Sequence, residues 1–242
     1  MQTTNQKVLI TGATAGIGLA LTKRFLSEGN TVIGIGRNPE ILKELKGSIH
    51  PFQADLSKIS DRFRLLDYLN NEHADLSVLI NNAGIQYNYS FLEEGSKIDK
   101  INYELELNLT APLHLCEAIT PLFLQSESEK AIINVTSGLA DVPKSSAPVY
   151  CGSKAGLKQF TKALKWQLTD SNIRVFDLSP SLVDTGMTAG RGKGKITPAK
   201  LVDEFWNKYK KNRYHIDIGK VKLLKVLNRL SPSLAESIMK KN

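Results

Sequence analysis

Three polar side chains near the middle of the chain have the types and spacing for chemistry on an alcohol oxygen. Tyr150 and Lys154 are four residues apart and share one face of any helix that contains them. Ser137 lies just after an apolar run, residues 131–135. A free tyrosine titrates at about 10 and is protonated at neutral pH. A neighbouring ammonium favours the phenolate, so Lys154 is expected to lower that value towards the working range. Ser137 can then hold a substrate oxygen while the phenol exchanges its proton. The same spacing also occurs in ordinary surface pairs, worth about 0.2–0.5 kcal/mol. The meaning of the pair therefore depends on the elements that position it.

Residues 131–135, AIINV, read as a strand buried on both faces, with Ser137 at its carboxyl end. A polar loop containing Pro143 follows. A helix begins near Pro148, since proline is tolerated in a first turn, and residues 150–168 continue it. At the amino end, residues 7–11 read as the first strand and run into Gly12, Thr14, Ala15, Gly16, Ile17 and Gly18, then a helix at 17–27. Strand, glycine-rich turn and helix make a phosphate cradle, because glycines let backbone approach a pyrophosphate and a helix amino terminus attracts it. The spacing is G-x3-G-x-G rather than G-x-G-x2-G. The flanking elements favour nucleotide binding over a purely structural turn. The second strand, 31–37, ends in Gly36, Arg37 and Asn38, about 20 residues further on, where an adenosine ribose is read. No carboxylate stands there to accept from a 2′-hydroxyl, and a guanidinium suits a 2′-phosphate. NADP is expected ahead of NAD.

Residues 50–54 make a third strand leading into Asp55 and Leu56, and 61–71 have helical periodicity. Residues 76–80 make a fourth strand ending in Asn81, Asn82, Ala83 and Gly84. Residues 98–125 read as helix with Asn108 in the middle. That residue is disfavoured there, so it is a candidate for hydrogen bonds of its own or a satisfied core residue. Residues 173–179 read as a sixth strand that Pro180 ends. Strands alternating with helices at this spacing predict an α/β fold, a doubly wound Rossmann-type parallel sheet in a single domain. Ligands bind beyond the carboxyl ends of such strands. The glycine turn, Arg37, Asp55, the NNAG run, Ser137 and Pro180 all fall there. Residues 186–195 are glycine-rich and basic, and 198–211 look helical with Phe205, Trp206 and Tyr209. The 186–215 segment is a candidate substrate lid, or a surface loop followed by a packing helix. Residues 214–218 make a short last strand, and 220–242 a basic helical segment.

With 242 residues, 41% hydrophobic, the chain can bury a sizeable core. It shows neither a bilayer-length apolar run nor a signal-peptide pattern, and a cytoplasmic protein is expected. Cys116 and Cys151 lack metal-ligand spacing and read as reduced thiols, so no metal is expected. The net charge of +8 is uneven: residues 191–242 hold 14 Lys/Arg and 4 Asp/Glu, and the first 190 hold 18 and 20. The basic excess thus lies away from the candidate catalytic residues, which gives no support to a polyanionic substrate. In the tail, Val221, Leu224, Leu227 and Leu230 recur at helical spacing beside Lys222, Lys225 and Arg229, with no aromatic anchor. This helix is expected to pack on protein in a homodimer, with no stable membrane insertion and no nucleic acid partner.

Taken jointly, TGATAGIG at 11–18, NNAG at 81–84, Asn108, Ser137 and the run from Tyr150 to Lys154 resemble the short-chain dehydrogenase/reductase (SDR) family over nearly the whole length. The resemblance implies that Tyr150 is the acid/base, Ser137 positions the carbonyl or hydroxyl, and Asn108 holds a water of the proton relay. It implies that Lys154 binds the nicotinamide ribose and lowers the tyrosine pKa. Asp55 and Leu56 would lie against the adenine, and Asn82, Ala83 and Gly84 would shape the adenosine site. Pro180, Val183 and Thr185 would lie by the nicotinamide. Two features depart from the family pattern. Ser181 follows Pro180 where glycine is usual, and the glycine-rich Asp-Gly-Gly close is absent. The ending looks like the branch of bacterial oxidoreductases named after the D-alanyl-lipoteichoic acid gene cluster. The expected function is reversible hydride transfer between NADP(H) and a small-molecule carbonyl/alcohol pair. A catalytically silent nucleotide-binding regulator, or a basic-surface binder of membrane or nucleic acid, stands as the alternative. Salt-sensitive association independent of cofactor would mark the latter.

Overall fold

The computed structural model describes residues 1–240. Lys241 and Asn242, the end of the 220–242 segment, lie outside the described residues. The first strand, β1 (Lys7–Thr11), shows why the sheet is buried on both sides. Val8 and Ile10 point into one apolar cluster and Leu9 into the other, as the two-residue period of a strand requires. One face is covered by α1 (Gly16–Ser27) and α6 (Pro198–Tyr209). The other is covered by α2 (Ile59–Glu72), α4 (Ala111–Leu124) and α5 (Pro148–Gln167).

The remaining strands are β2 (Thr31–Gly36), β3 (Ile49–Gln53), β4 (Val78–Asn81), β5 (Lys130–Val135), β6 (Ile173–Pro180) and β7 (His215–Ile218). All neighbours pair in parallel, in the order β3-β2-β1-β4-β5-β6-β7. The order reverses between β1 and β4, which opens the crevice where doubly wound sheets take their ligands. The expected sheet is therefore present, in one domain.

Pro180 is paired within β6 rather than ending it. Asp177 and Ser181 direct their N–H groups towards the β7 side, to the carbonyls of Tyr214, just before β7, and Ile218, its last residue. By alternation the proline nitrogen faces the other side, beyond the last residue of β5, where no donor is needed. The expected helix at 98–125 is continuous but not uniform. α3 (Ile98–Leu105) passes through a wider π-helical turn, Glu106–Thr110, before α4. Such turns insert a residue into the helical ladder and re-aim side chains.

The 186–215 segment divides into two parts. Phe205, Trp206 and Tyr209 of α6 are core residues; the Trp206 ring meets Phe25 of α1 edge-on at 4.9 Å between centroids. This half is the packing helix, not a lid. The loop before it is pinned at its base by a parallel bridge between Val183 and Ile196.

The tail forms α7 (Val221–Leu230) and α8 (Pro232–Lys240). Val221 is buried against Gly138, and Lys225 pairs with Asp217 and reaches Asp141 at 3.8 Å. These inward contacts set the rotation of α7. Leu224 and Leu227 are half-buried, Leu230 at the end of the expected packing row is 79% exposed, and a second apolar row, Leu223 and Val226, faces outwards. Among the described residues no helix is long and apolar enough to cross a membrane.

Candidate active site

The glycine turn folds as it does because side chains are excluded from it. Gly12 has φ +66°, a left-handed conformation, and a Cβ on Gly18 would lie 2.0 Å from the Gly12 carbonyl oxygen. Ala15 precedes α1 in an extended conformation with no side chain capping the helix, so its first N–H groups face the turn. Thr14 packs under Gly36 at the end of β2, Ile17 is partly buried on the core, and Gly16 lies against Thr185.

The run after β4 is tied directly to this turn. The Thr11 hydroxyl accepts from the N–H groups of Asn82 and Ala83, each at 2.9 Å, and Asn82 Nδ2 donates to the Thr11 carbonyl at 2.9 Å. In the sequence Thr11 was legible as the end of a strand and the first residue of the TGATAGIG run; its role as the fastener became visible through pairing of β1 with β4.

Arg37 is exposed just beyond β2 and donates to the Tyr103 hydroxyl at 3.4 Å. The Asp55 carboxylate accepts from the N–H and hydroxyl of Ser57 at 3.1 and 2.8 Å, shaping its own turn, and Leu56 is buried. Val183 is buried, and Thr185 closes a short turn with Thr188 at 3.1 Å. These residues, with Pro180, line the carboxyl ends of the strands.

The catalytic candidates converge on the same edge. Ser137 Oγ accepts from Leu139 N–H at 3.1 Å, which holds the residue at the mouth of β5. Lys154 Nζ donates to the Val135 carbonyl at 2.8 Å. Asn108 lies in the π-helical turn, fully buried. Its Oδ1 accepts from Ile85 N–H at 2.8 Å, and its Nδ2 donates to the Ile85 carbonyl at 2.8 Å and the Ser153 hydroxyl at 3.2 Å. Ser153 in turn donates to the Tyr150 carbonyl at 2.9 Å, linking Asn108 to α5. Sequence reasoning passed over Ser153, which stood inside the Tyr-to-Lys run without a signal of its own. A Cβ on Gly84 would lie 3.0 Å from Asn108 Oδ1, so the NNAG run closes against the same group.

The titration of Tyr150 differs from expectation. Burial pushes its pKa up to about 12, and the nearby Ser137 hydroxyl pulls against that rise. Lys154 is buried too, which pushes its pKa down to about 8. The lysine does not bring the phenol down in the protein alone: both groups are withdrawn from water, which disfavours phenolate and ammonium alike, and the ammonium spends its bond on Val135.

With that geometry in place, the chain belongs to the short-chain dehydrogenases: the family model of that description matches residues 6–195. It is 41% identical over 213 residues to the uncharacterized oxidoreductase DltE of Bacillus subtilis, covering 86% of this chain and 84% of that one. It is 31% identical over 182 residues to the NADP-dependent 3-hydroxy acid dehydrogenase YdfG of Escherichia coli K12, covering 73% and 72%. A short-chain dehydrogenase from Burkholderia cenocepacia, solved with NADP, shares the fold at a TM-score of 0.88 and 24% identity, covering 99% of each chain. The protein is a nicotinamide-dependent oxidoreductase acting on hydroxyl and carbonyl groups of small molecules.

Proposed function

We propose that this protein is an NADP-preferring reductase of a carbonyl substrate, reversible to the alcohol, with Tyr150 as the acid/base. The observation that carries the reading is Tyr150 buried beside Ser137 at the end of β5, where loss of water pushes its pKa up to about 12. A phenol that holds its proton at neutral pH is equipped to donate it to a carbonyl oxygen as that oxygen gains charge. Ser137 orients the oxygen, and the burial of both residues limits competition from water. Asn108 and Ser153 hold Tyr150 and the Ile85 backbone in one hydrogen-bonded chain.

The side chains and backbone fit a dinucleotide. The cradle leaves room only for backbone between Gly12 and Gly18, and α1 presents uncapped N–H groups to it. Gly12, Thr14, Ala15, Gly16, Ile17 and Gly18 would take the pyrophosphate side. Asp55, Leu56, Asn82, Ala83 and Gly84 would take the adenosine, and Lys154, Pro180, Val183 and Thr185 the nicotinamide end. When bound, the cofactor supplies or accepts the hydride. Arg37 supports NADP over NAD: it is exposed after Gly36, with a guanidinium and no carboxylate at the place where a 2′-phosphate is read.

The outward row of Leu223, Val226 and Leu230 supports a homodimer through the tail. The protein would be cytoplasmic, and of the 186–215 segment the glycine-rich residues 186–195, ahead of the packed α6, would be the part that serves as a substrate lid. The test of function is a screen of aldehydes and ketones with NADPH, paired with fluorescence titration of NADPH and NADH. Turnover that disappears in Tyr150→Phe, with NADPH bound at least about tenfold tighter, is expected. Turnover independent of Tyr150 would overturn the assignment.

A further inference from the structure

Glu104 is a fully buried carboxyl group outside the chemistry described so far. It sits on α3 one helical turn before Asn108, so the two side chains share a face. That face meets the loop after β4. Asn108 Oδ1 accepts from Ile85 N–H at 2.8 Å, and Glu104 Oε1 accepts from Tyr87 N–H at 3.1 Å. One helix thus grips the loop at two N–H groups, two residues apart. The other carboxyl oxygen of Glu104 has no hydrogen-bond partner, and neither has the buried hydroxyl of Tyr89 on the same loop.

A backbone grip needs an acceptor but not a charge. An amide would serve without the cost of drying an ionisable group. The surroundings of Glu104 therefore matter. Tyr87 and Tyr89 on the loop and Tyr150 and Cys151 on α5 all have their pKa raised, chiefly by burial, and the negative charge of Glu104 adds a smaller push to each. The cations nearby belong to its neighbours. Arg37 and Lys100 lie by Tyr87, and Lys144 by Cys151. None of them offsets the burial of Glu104, whose pKa rises to about 7 against the pull of Tyr87 N–H.

We propose that Glu104 is a positioning residue that, with Asn108, clamps the 85–89 wall of the substrate cleft, and whose charge, when ionised, adds to the burial that makes Tyr150 hold its proton. The second half rests on the acid/base role of Tyr150 proposed above. Ionised Glu104 opposes the phenolate, so it keeps Tyr150 a proton donor as the medium turns alkaline and extends the range for carbonyl reduction. Neutral Glu104 leaves the phenol freer to ionise.

Two variants separate charge from clamp. Glu104→Gln keeps an acceptor for Tyr87 N–H and removes the charge; Glu104→Leu removes both. In the full-length protein with NADPH and the best carbonyl from the screen, Glu104→Gln should move the alkaline limb of the reduction profile to lower pH with KM unchanged. Glu104→Leu should raise KM by about tenfold, the equivalent of one hydrogen bond of about 1.4 kcal/mol, with NADPH affinity unchanged. A third readout needs no turnover. Folding raises the Glu104 pKa from the ordinary 4.5 to about 7, so the stability it contributes when neutral is complete below 4.5 and is lost as pH rises from there to about 7. Wild type should therefore lose melting temperature relative to Glu104→Gln between about pH 4.5 and 7, with parallel curves above that window. An unshifted rate profile in an enzyme that needs Tyr150, or parallel melting curves within that window, would overturn the role of the charge. An unchanged KM in Glu104→Leu would overturn the clamp. Full turnover by Tyr150→Phe would instead sink the catalytic reading itself, a separate failure.

Discussion

The glycine turn after β1 and the loop after β4 meet at the same strand ends, yet they are held by different means. The turn is held by what is missing: the left-handed φ at Gly12 and the approach of Gly18 to its carbonyl leave no room for a side chain. The loop is held by what reaches it from far along the chain, with Asn108 on the Ile85 backbone and Glu104 on the Tyr87 N–H. A site built from backbone does not titrate and resists any added atom. A site built from side chains tolerates a change of size at its rim and responds to a change of charge. On the function proposed above, the cofactor side would be of the first kind, and the substrate side of the second.

The sharpest way to break that division is to remove one oxygen from the substrate side. Tyr150→Phe should cut kcat by about 10²-fold or more while NADPH titration stays nearly unchanged. Lys154→Ala, by contrast, should harm both measurements, because that ammonium lies between the two halves beside Gly84. Next in size, Gly18→Ala adds one carbon against the Gly12 carbonyl. At an overpacking cost of about 1–3 kcal/mol it should weaken NADPH binding by roughly 10- to 100-fold. Binding within error of wild type in calorimetry would show that the turn has more play than its geometry allows.

Arg37→Ala is a smaller change and sharpens the comparison from the other side, since Arg37 is a side-chain reader at the edge of a backbone-made cradle. It should erase a preference for NADPH of about tenfold while NADH affinity holds. Equal affinities in the wild type would remove the preference altogether. The smallest effect on catalysis is expected from the tail. Leu223→Lys with Leu230→Lys should leave turnover unchanged and convert a dimer to a monomer in sedimentation, at two salt concentrations. A wild-type monomer would defeat the dimer.

Elements made of short-range pattern were legible before any coordinates. The first strand spans Lys7–Thr11 as expected, α5 begins at Pro148, and α7 spans Val221–Leu230. Alternation of aliphatic residues, a proline in a first turn and glycines between strand and helix are local events, decided within a few residues of chain. The joint order of those events was enough to fix the doubly wound sheet and to put the glycine turn, Arg37, Asp55, the NNAG run and Ser137 at its carboxyl edge.

Burial and rotation were decided only in three dimensions. Phe205, Trp206 and Tyr209 had the apolar content of a lid and became core, because α6 lies along α1 on the sheet. The outer row of α7 was set by Lys225, which turns inwards to Asp217 and Asp141, residues far apart in sequence from one another. The pKa values of Tyr150, Lys154 and Glu104 were beyond reach for the same reason. Spacing along a helix says which groups are neighbours, but the free energy of a charge depends on how much water the rest of the fold has taken away from it.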